Sequence, residues 1–176
     1  LVQETASVGG NVGNAAMSAV EGSILAAKEV GMNAGDAVAT AVSSAMNAVG
    51  EVGGATADAA SGIATSAIRA TSQVGGELGG AAKGTILGVF RGTKDISAGA
   101  FSTVGSTAES LVKETAEVGG SLGTAAKNAV EGAIEGAKET GVDVAAAASA
   151  AATGALKAAG DISAEAVEQV KRTATG

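Results

Sequence analysis

The sequence predicts an all-α protein made of eight tandem units of 22 residues. Three observations carry that reading: a gapless internal repeat, a one-sided placement of charge on the helical wheel, and an alphabet rich in Ala, Gly and Val with no Pro. Residues 1–31 (LVQETASVGGNVGNAAMSAVEGSILAAKEVG) match 111–141 (LVKETAEVGGSLGTAAKNAVEGAIEGAKETG) at 20 of 31 positions, an offset of 110. VGGNVGNAA at 8–16 recurs as VGGELGGAA at 74–82, an offset of 66. The largest length dividing both offsets is 22, so the single array runs 1–22, 23–44, 45–66, 67–88, 89–110, 111–132, 133–154 and 155–176 without insertion.

Each unit repeats the same grammar. Position 2 holds the large apolar residue of nearly every unit: Val2, Ile24, Met46, Ile68, Phe90, Val112, Ile134 and Leu156. Position 8 is mostly β-branched, and position 7 is acidic in six units, through Glu29, Glu51, Asp95, Glu117, Glu139 and Asp161. Twenty-two residues close on six turns of about 3.67 residues each, so one wheel serves all units. On it the 29 charged residues occupy positions 3, 4, 6, 7, 11, 14, 17, 18 and 21, a single side that also takes in positions 10 and 22. The other side holds small and β-branched residues, a separation that a period-two strand cannot produce. Position 2 is therefore expected to be buried, and positions 3, 7, 14 and 17 exposed.

The glycines decide whether the helix runs on or folds back. Position 9 carries Gly9, Gly31, Gly53, Gly75, Gly119 and Gly141, and position 13 adds Gly13, Gly35, Gly79 and Gly123. On the apolar side these are candidate contact points, where a missing Cβ admits another backbone. Gly10, Gly54, Gly76 and Gly120, at position 10, lie toward the polar side, where each mid-helix Gly costs about 0.8–1 kcal/mol against Ala, so a turn accounts for them better. Lys28-Glu29-Val30-Gly31 reads as a helix end with a left-handed glycine, Gly160 to Glu165 as stop, link and start, and Asn11, Asn33, Ser121 and Asp143 as helix caps. The expected architecture is helices of about 16 to 19 residues joined by short turns near positions 8 to 11. The alternative is one continuous helix of about 260 Å at ~1.5 Å per residue. Either is packed in an assembly, because 28 glycines forfeit on the order of 15–30 kcal/mol of helical preference and the broad apolar side needs several neighbours.

Composition excludes much chemistry. With no Cys or His there is no thiol nucleophile, imidazole base, disulfide or soft metal site, and no cofactor, metal or catalytic residue is expected. A net charge of −7 with eleven scattered Lys and Arg argues against nucleic acid. Charges recur too often to leave the roughly 20 apolar residues of a membrane span. GGNVG at 9–13, GGELG at 75–79 and GGSLG at 119–123 have the texture of phosphate-cradling loops. No strand precedes them and no Gly-Lys-Ser or Gly-Lys-Thr follows, so they read as turns or contacts. Glu131 and Glu135 could share a helix face as an acid–base pair, and read instead as solvated charge, with Glu135 beside Lys138.

Segments AVEGSILAAKEVG (19–31) and AVEGAIEGAKETG (129–141) resemble the 11-residue amphipathic repeats of synucleins, perilipins and group 3 late-embryogenesis-abundant proteins. The resemblance lies in the helical period and implies no residue-level function. The function expected from the sequence is a non-catalytic structural protein that self-assembles into a filament, tube or layered array, with another copy of itself as partner. The assembly faces would be the position-2 residues together with Gly9, Gly31, Gly53, Gly75, Gly119 and Gly141. An amphipathic coat on a lipid surface is the second choice, and a stress-protective or ice-binding repeat protein the third. An extracellular or cell-surface setting is preferred.

Overall fold

A computed structural model describes residues 11–51, 56–93 and 98–174. Among them the chain is all-α. The helices are α1 (Val12–Glu29), α2 (Ala34–Glu51), α3 (Thr56–Gln73), α4 (Leu78–Gly92), α5 (Ala98–Glu117), α6 (Leu122–Thr140), α7 (Val144–Ile162) and α8 (Ala164–Ala174). The chain thus folds back repeatedly, and the continuous helix is not what forms. Six of the eight helices among the described residues begin at position 12 of the sequence unit, at Val12, Ala34, Thr56, Leu78, Leu122 and Val144.

The turns explain why. Gly31, Gly75, Gly119 and Gly141, all at position 9, have φ of +73°, +64°, +77° and +76°, the left-handed region that a Cβ disfavours. Around Gly75 the geometry is a Schellman turn: Gly75 N–H donates to the Ser72 carbonyl at 2.9 Å and Gly76 N–H to that of Thr71 at 2.8 Å. Gly119 and Gly120 repeat it on Ala116 and Thr115, and Gly31 and Met32 on Lys28 and Ala27. The next helix is then capped from position 11. Asn11 accepts from Asn14 N–H, Ser121 from Thr124 N–H and Asp143 from Ala146 N–H, as read from the sequence; Asn33 accepts from Gly35 N–H, and Glu77 caps α4 through Gly80 N–H. One boundary departs from expectation. Gly160 lies inside α7, which continues to Ile162, and the break falls at Ser163 with φ −169° and ψ 165°. Position 9 is Ser there, so the chain breaks through extended backbone rather than a left-handed residue.

Short turns bring sequential helices together antiparallel, yet the most extensive contacts join helices two apart: α2 with α4, α4 with α6, α5 with α7 and α3 with α5. The result is two layers, α1-α3-α5-α7 and α2-α4-α6-α8. Contacts within a layer advance in step, with Gly84 near Ala39, Gly88 near Val42 and Gly92 near Met46, so the helices of a layer run parallel. The apolar sides meet between the layers in one continuous cluster that includes Val20, Val42, Ile63, Ile86, Leu111 and Ala133. The neighbours that the broad apolar side requires are therefore helices of the same chain.

Candidate functional site

Within each layer, helices approach through a seam of glycine and backbone carbonyl. A Cβ built on Gly88 would lie 2.7 Å from the Ala39 carbonyl oxygen, on Gly92 2.7 Å from that of Ser43, and on Gly132 2.6 Å from that of Lys83. On Gly84 and Gly154 it would collide with the carbonyls of Gly35 and Gly105. In all five cases the glycine lies 49 residues after the carbonyl, which is two units plus five residues. Any side chain here would hold the backbones apart. Gly136 serves the same seam differently, receiving the Phe90 ring, whose Cδ2 lies 2.6 Å from the built Cβ.

Ion pairs run along the outside of this seam. Arg91 donates through Nε and Nη2 to both oxygens of Glu139 at 2.8 Å, 48 residues on. Lys113 reaches Asp161, also 48 residues on, at 2.6 Å, and Glu109 on its own helix at 2.8 Å. Lys157 donates to Glu109 at 2.9 Å, Lys83 pairs with Glu135 at 2.6 Å, and Arg69 grips the buried Glu114 with Nε and Nη2 at 3.0 and 3.1 Å. Hydrogen bonds from Lys113 and then Lys157 hold the Glu109 carboxyl below the usual carboxylate range. Arg91 does the same for Glu139 and Lys113 for Asp161, while Glu135, Glu139 and Asp161 in turn raise Lys83, Arg91 and Lys113. Apart from the buried Glu114, the pairs are partly exposed, so they align neighbours more than they stabilise them.

The sequence-predicted packing residues divide by place. Ile24, Met46, Ile68, Phe90 and Val112 are buried, Ile134 and Leu156 are partly buried, and Val2 lies outside the described residues. Gly31, Gly75, Gly119 and Gly141 sit in exposed turns: no described atom lies within 4 Å of a Cβ built on Gly31, Gly119 or Gly141, and only the Lys28 Nζ, at 4.0 Å, approaches one built on Gly75. Gly9 and Gly53 lie outside the described residues. Within the chain, close approach belongs to Gly84, Gly88, Gly92, Gly132 and Gly154, on the side read as polar, and, among the position-13 glycines read as contact points, to Gly35, where a built Cβ lies 3.0 Å from the Gly80 carbonyl oxygen. Position 17, expected to be exposed, is buried at Ala39 and half-buried at Lys83 and Gly105 for the same reason. The signal that could have found this seam is Gly80-Gly84-Gly88-Gly92, a run of glycines four apart.

Position 10 has its own constraint. A Cβ on Gly76 would lie 2.8 Å from Thr71 Cγ2, and one on Gly120 2.6 Å from Thr115 Cγ2. The sequence compensates unit by unit. Where position 5 is β-branched (Thr5, Val49, Thr71, Thr93, Thr115), position 10 is Gly or Ala (Gly10, Gly54, Gly76, Ala98, Gly120). Where position 5 is Ala (Ala27, Ala137, Ala159), position 10 admits Met32, Val142 and Ala164.

The glycine loops read as turns are turns where described, and the carboxylate of Glu77 already occupies the N-terminus of α4. Glu135 pairs with Lys83 of the neighbouring helix rather than with Lys138, and Glu131 lies 3.9 Å from Lys127. Among the described residues no group of three or more His, Cys, Asp or Glu is placed to hold a metal ion, and no helix is long and apolar enough to cross a membrane. In comparison with known proteins, no family model and no curated sequence matches the chain.

Proposed function

We propose that the protein is a non-catalytic structural component that self-associates through small-residue helix faces into an extended array, with the 22-residue unit as its building block. The observation that carries this reading is the 49-residue carbonyl-on-glycine contact, made five times across both layers. A stack held by one recurrent nearest-neighbour contact is quasi-one-dimensional, and its length is not limited by the contact itself. The side chains serve spacing and register: glycine sets backbone approach, position 2 fills the gaps between layers, and ion pairs align parallel helices. Electron microscopy and sedimentation of the purified chain in lipid-free buffer test the reading. Ribbons or fibres whose width matches two helical layers are expected. A particle that stays a monomer at every concentration and acquires order only on vesicles would overturn it in favour of a lipid coat.

A further inference from the structure

From the same contact rule we infer a specific head-to-tail interface between copies of this chain: the outer edge of α7 in one copy receives the outer edge of α1 in the next, extending the odd-numbered layer. This rests on the self-association proposed above and names its contact residues.

The docking edge of α1 is the repeat-equivalent, 132 residues earlier, of the edge by which α7 docks on α5. Ser18, Gly22 and Glu29 stand where Ala150, Gly154 and Asp161 stand in α7. Gly154 is closed against the Gly105 carbonyl, and Asp161 against Lys113. Gly22, in contrast, is exposed, and no described atom lies within 4 Å of a Cβ built on it. Ser18, Ala26 and Glu29 beside it are exposed as well. A glycine inside a helix costs stability relative to Ala, and here no described neighbour makes use of it.

The outer edge of α7 is the repeat-equivalent, 44 residues later, of the edge by which α5 receives α7. Ser149 and Lys157 stand where Gly105 and Lys113 stand. Both are exposed; the Lys157 side chain is 67% exposed with its ammonium on Glu109. Lys113 reaches the following helix at Asp161 while also holding Glu109 of its own helix, and an ammonium has three donors, so Lys157 can turn to a carboxylate on a following helix from its bond to Glu109 on the preceding one. Superposing the α5–α7 contact onto α7 and a second α1 sets the Ser149 carbonyl against Gly22 and the Lys157 ammonium against Glu29. The charges are opposite and the registers agree. The two edges differ from each other, so the contact is heterologous and propagates as an open filament unless it closes into a ring.

Sedimentation velocity across a concentration series tests this with wild type, Gly22→Leu, Glu29→Lys and the swap Glu29→Lys/Lys157→Glu, with far-ultraviolet circular dichroism as the folding control. Leu at position 22 meets open space in the single chain and favours the helix, so helicity is expected to be unchanged. It should raise the concentration needed for half-association at least tenfold, on the order of one overpacked contact. Glu29→Lys should weaken association and the swap restore it. In this Cys-free chain, Gly22→Cys/Ser149→Cys offers a second readout, since the two thiols sit on opposite edges of one chain and can bond only between copies. An oxidised ladder of multimers supports the interface. Gly22→Leu associating like wild type, with no ladder from the cysteine pair, overturns this interface while leaving self-association standing. A wild type that stays monomeric up to about 1 mM overturns both.

Discussion

Replacing Gly76 by Ala tests the turn at its tightest point. Ala would ordinarily be preferred, because it reduces the entropy of the unfolded chain and Gly76 needs no positive φ. In the folded chain, however, the new methyl would lie 2.8 Å from Thr71 Cγ2 and 3.2 Å from the Thr71 carbonyl oxygen. Thr71 cannot rotate away cheaply: it is fully buried and its hydroxyl donates to the Ala67 carbonyl at 2.8 Å. An inserted methyl in a packed site costs about 1–3 kcal/mol, against a gain of about 0.4–1 kcal/mol from the unfolded state, so a net loss of about 1–2 kcal/mol is expected. Thr71→Ala alone should cost on the order of 1 kcal/mol, for a lost hydrogen bond and a small cavity. The double variant recreates the Ala-with-larger-residue pairing that this chain uses at Ala27 with Met32 and Ala137 with Val142. It should therefore lose less than the sum of the single variants by about 1 kcal/mol or more. Urea unfolding followed by circular dichroism gives all four corners of the cycle. A neutral or stabilising Gly76→Ala, or strict additivity, would refute the steric account of position 10.

The remaining predictions use the same assay. Gly154→Ala, aimed at the Gly105 carbonyl, should destabilise by about 1–3 kcal/mol or more, whereas Gly160→Ala, with no described atom within 4 Å, should stabilise by about 0.5–1 kcal/mol; equal effects at the two sites would remove the seam from the account. Gly119→Ala should cost about 1–2 kcal/mol because φ is +77°, and Gly119→Asn less, since Asn tolerates that region. The depressed carboxyls of Glu109, Glu139 and Asp161 bind protons more weakly folded than unfolded, so their stabilisation is present at neutral pH and is lost as pH falls through and below the ordinary range of about 4. Glu109→Gln should flatten that acid limb of a stability-versus-pH curve, and an unchanged slope would discount the ladder. Anionic vesicles should bind the chain weakly, as eighteen carboxylates oppose eleven cations, and co-sedimentation that strengthens with anionic lipid content would count against this.

Periodicity alone determined that the protein is α-helical, that Ile24, Met46, Ile68, Phe90 and Val112 are buried, and that the chain turns at four position-9 glycines. A 22-residue unit with Gly at position 9 and a capping residue at position 11 prescribes a helix end and a helix start, since a left-handed residue and an N-cap are local requirements of backbone and side chain. Hence Gly31, Gly75, Gly119 and Gly141 turn the chain, and Asn11, Ser121 and Asp143 cap it, where the sequence places them. Which helices become neighbours is a different kind of fact. A wheel separates charged from uncharged slots, but it cannot tell a solvated small residue from one covered by another backbone. Gly88, Gly132 and Gly154 therefore read as part of a polar side, and only the stacking of helices two apart makes that side an interface. The same stacking took Glu135 from Lys138 to Lys83 and buried Ala39, because partners 44 to 52 residues away are set by the register between helices, which no single helix encodes.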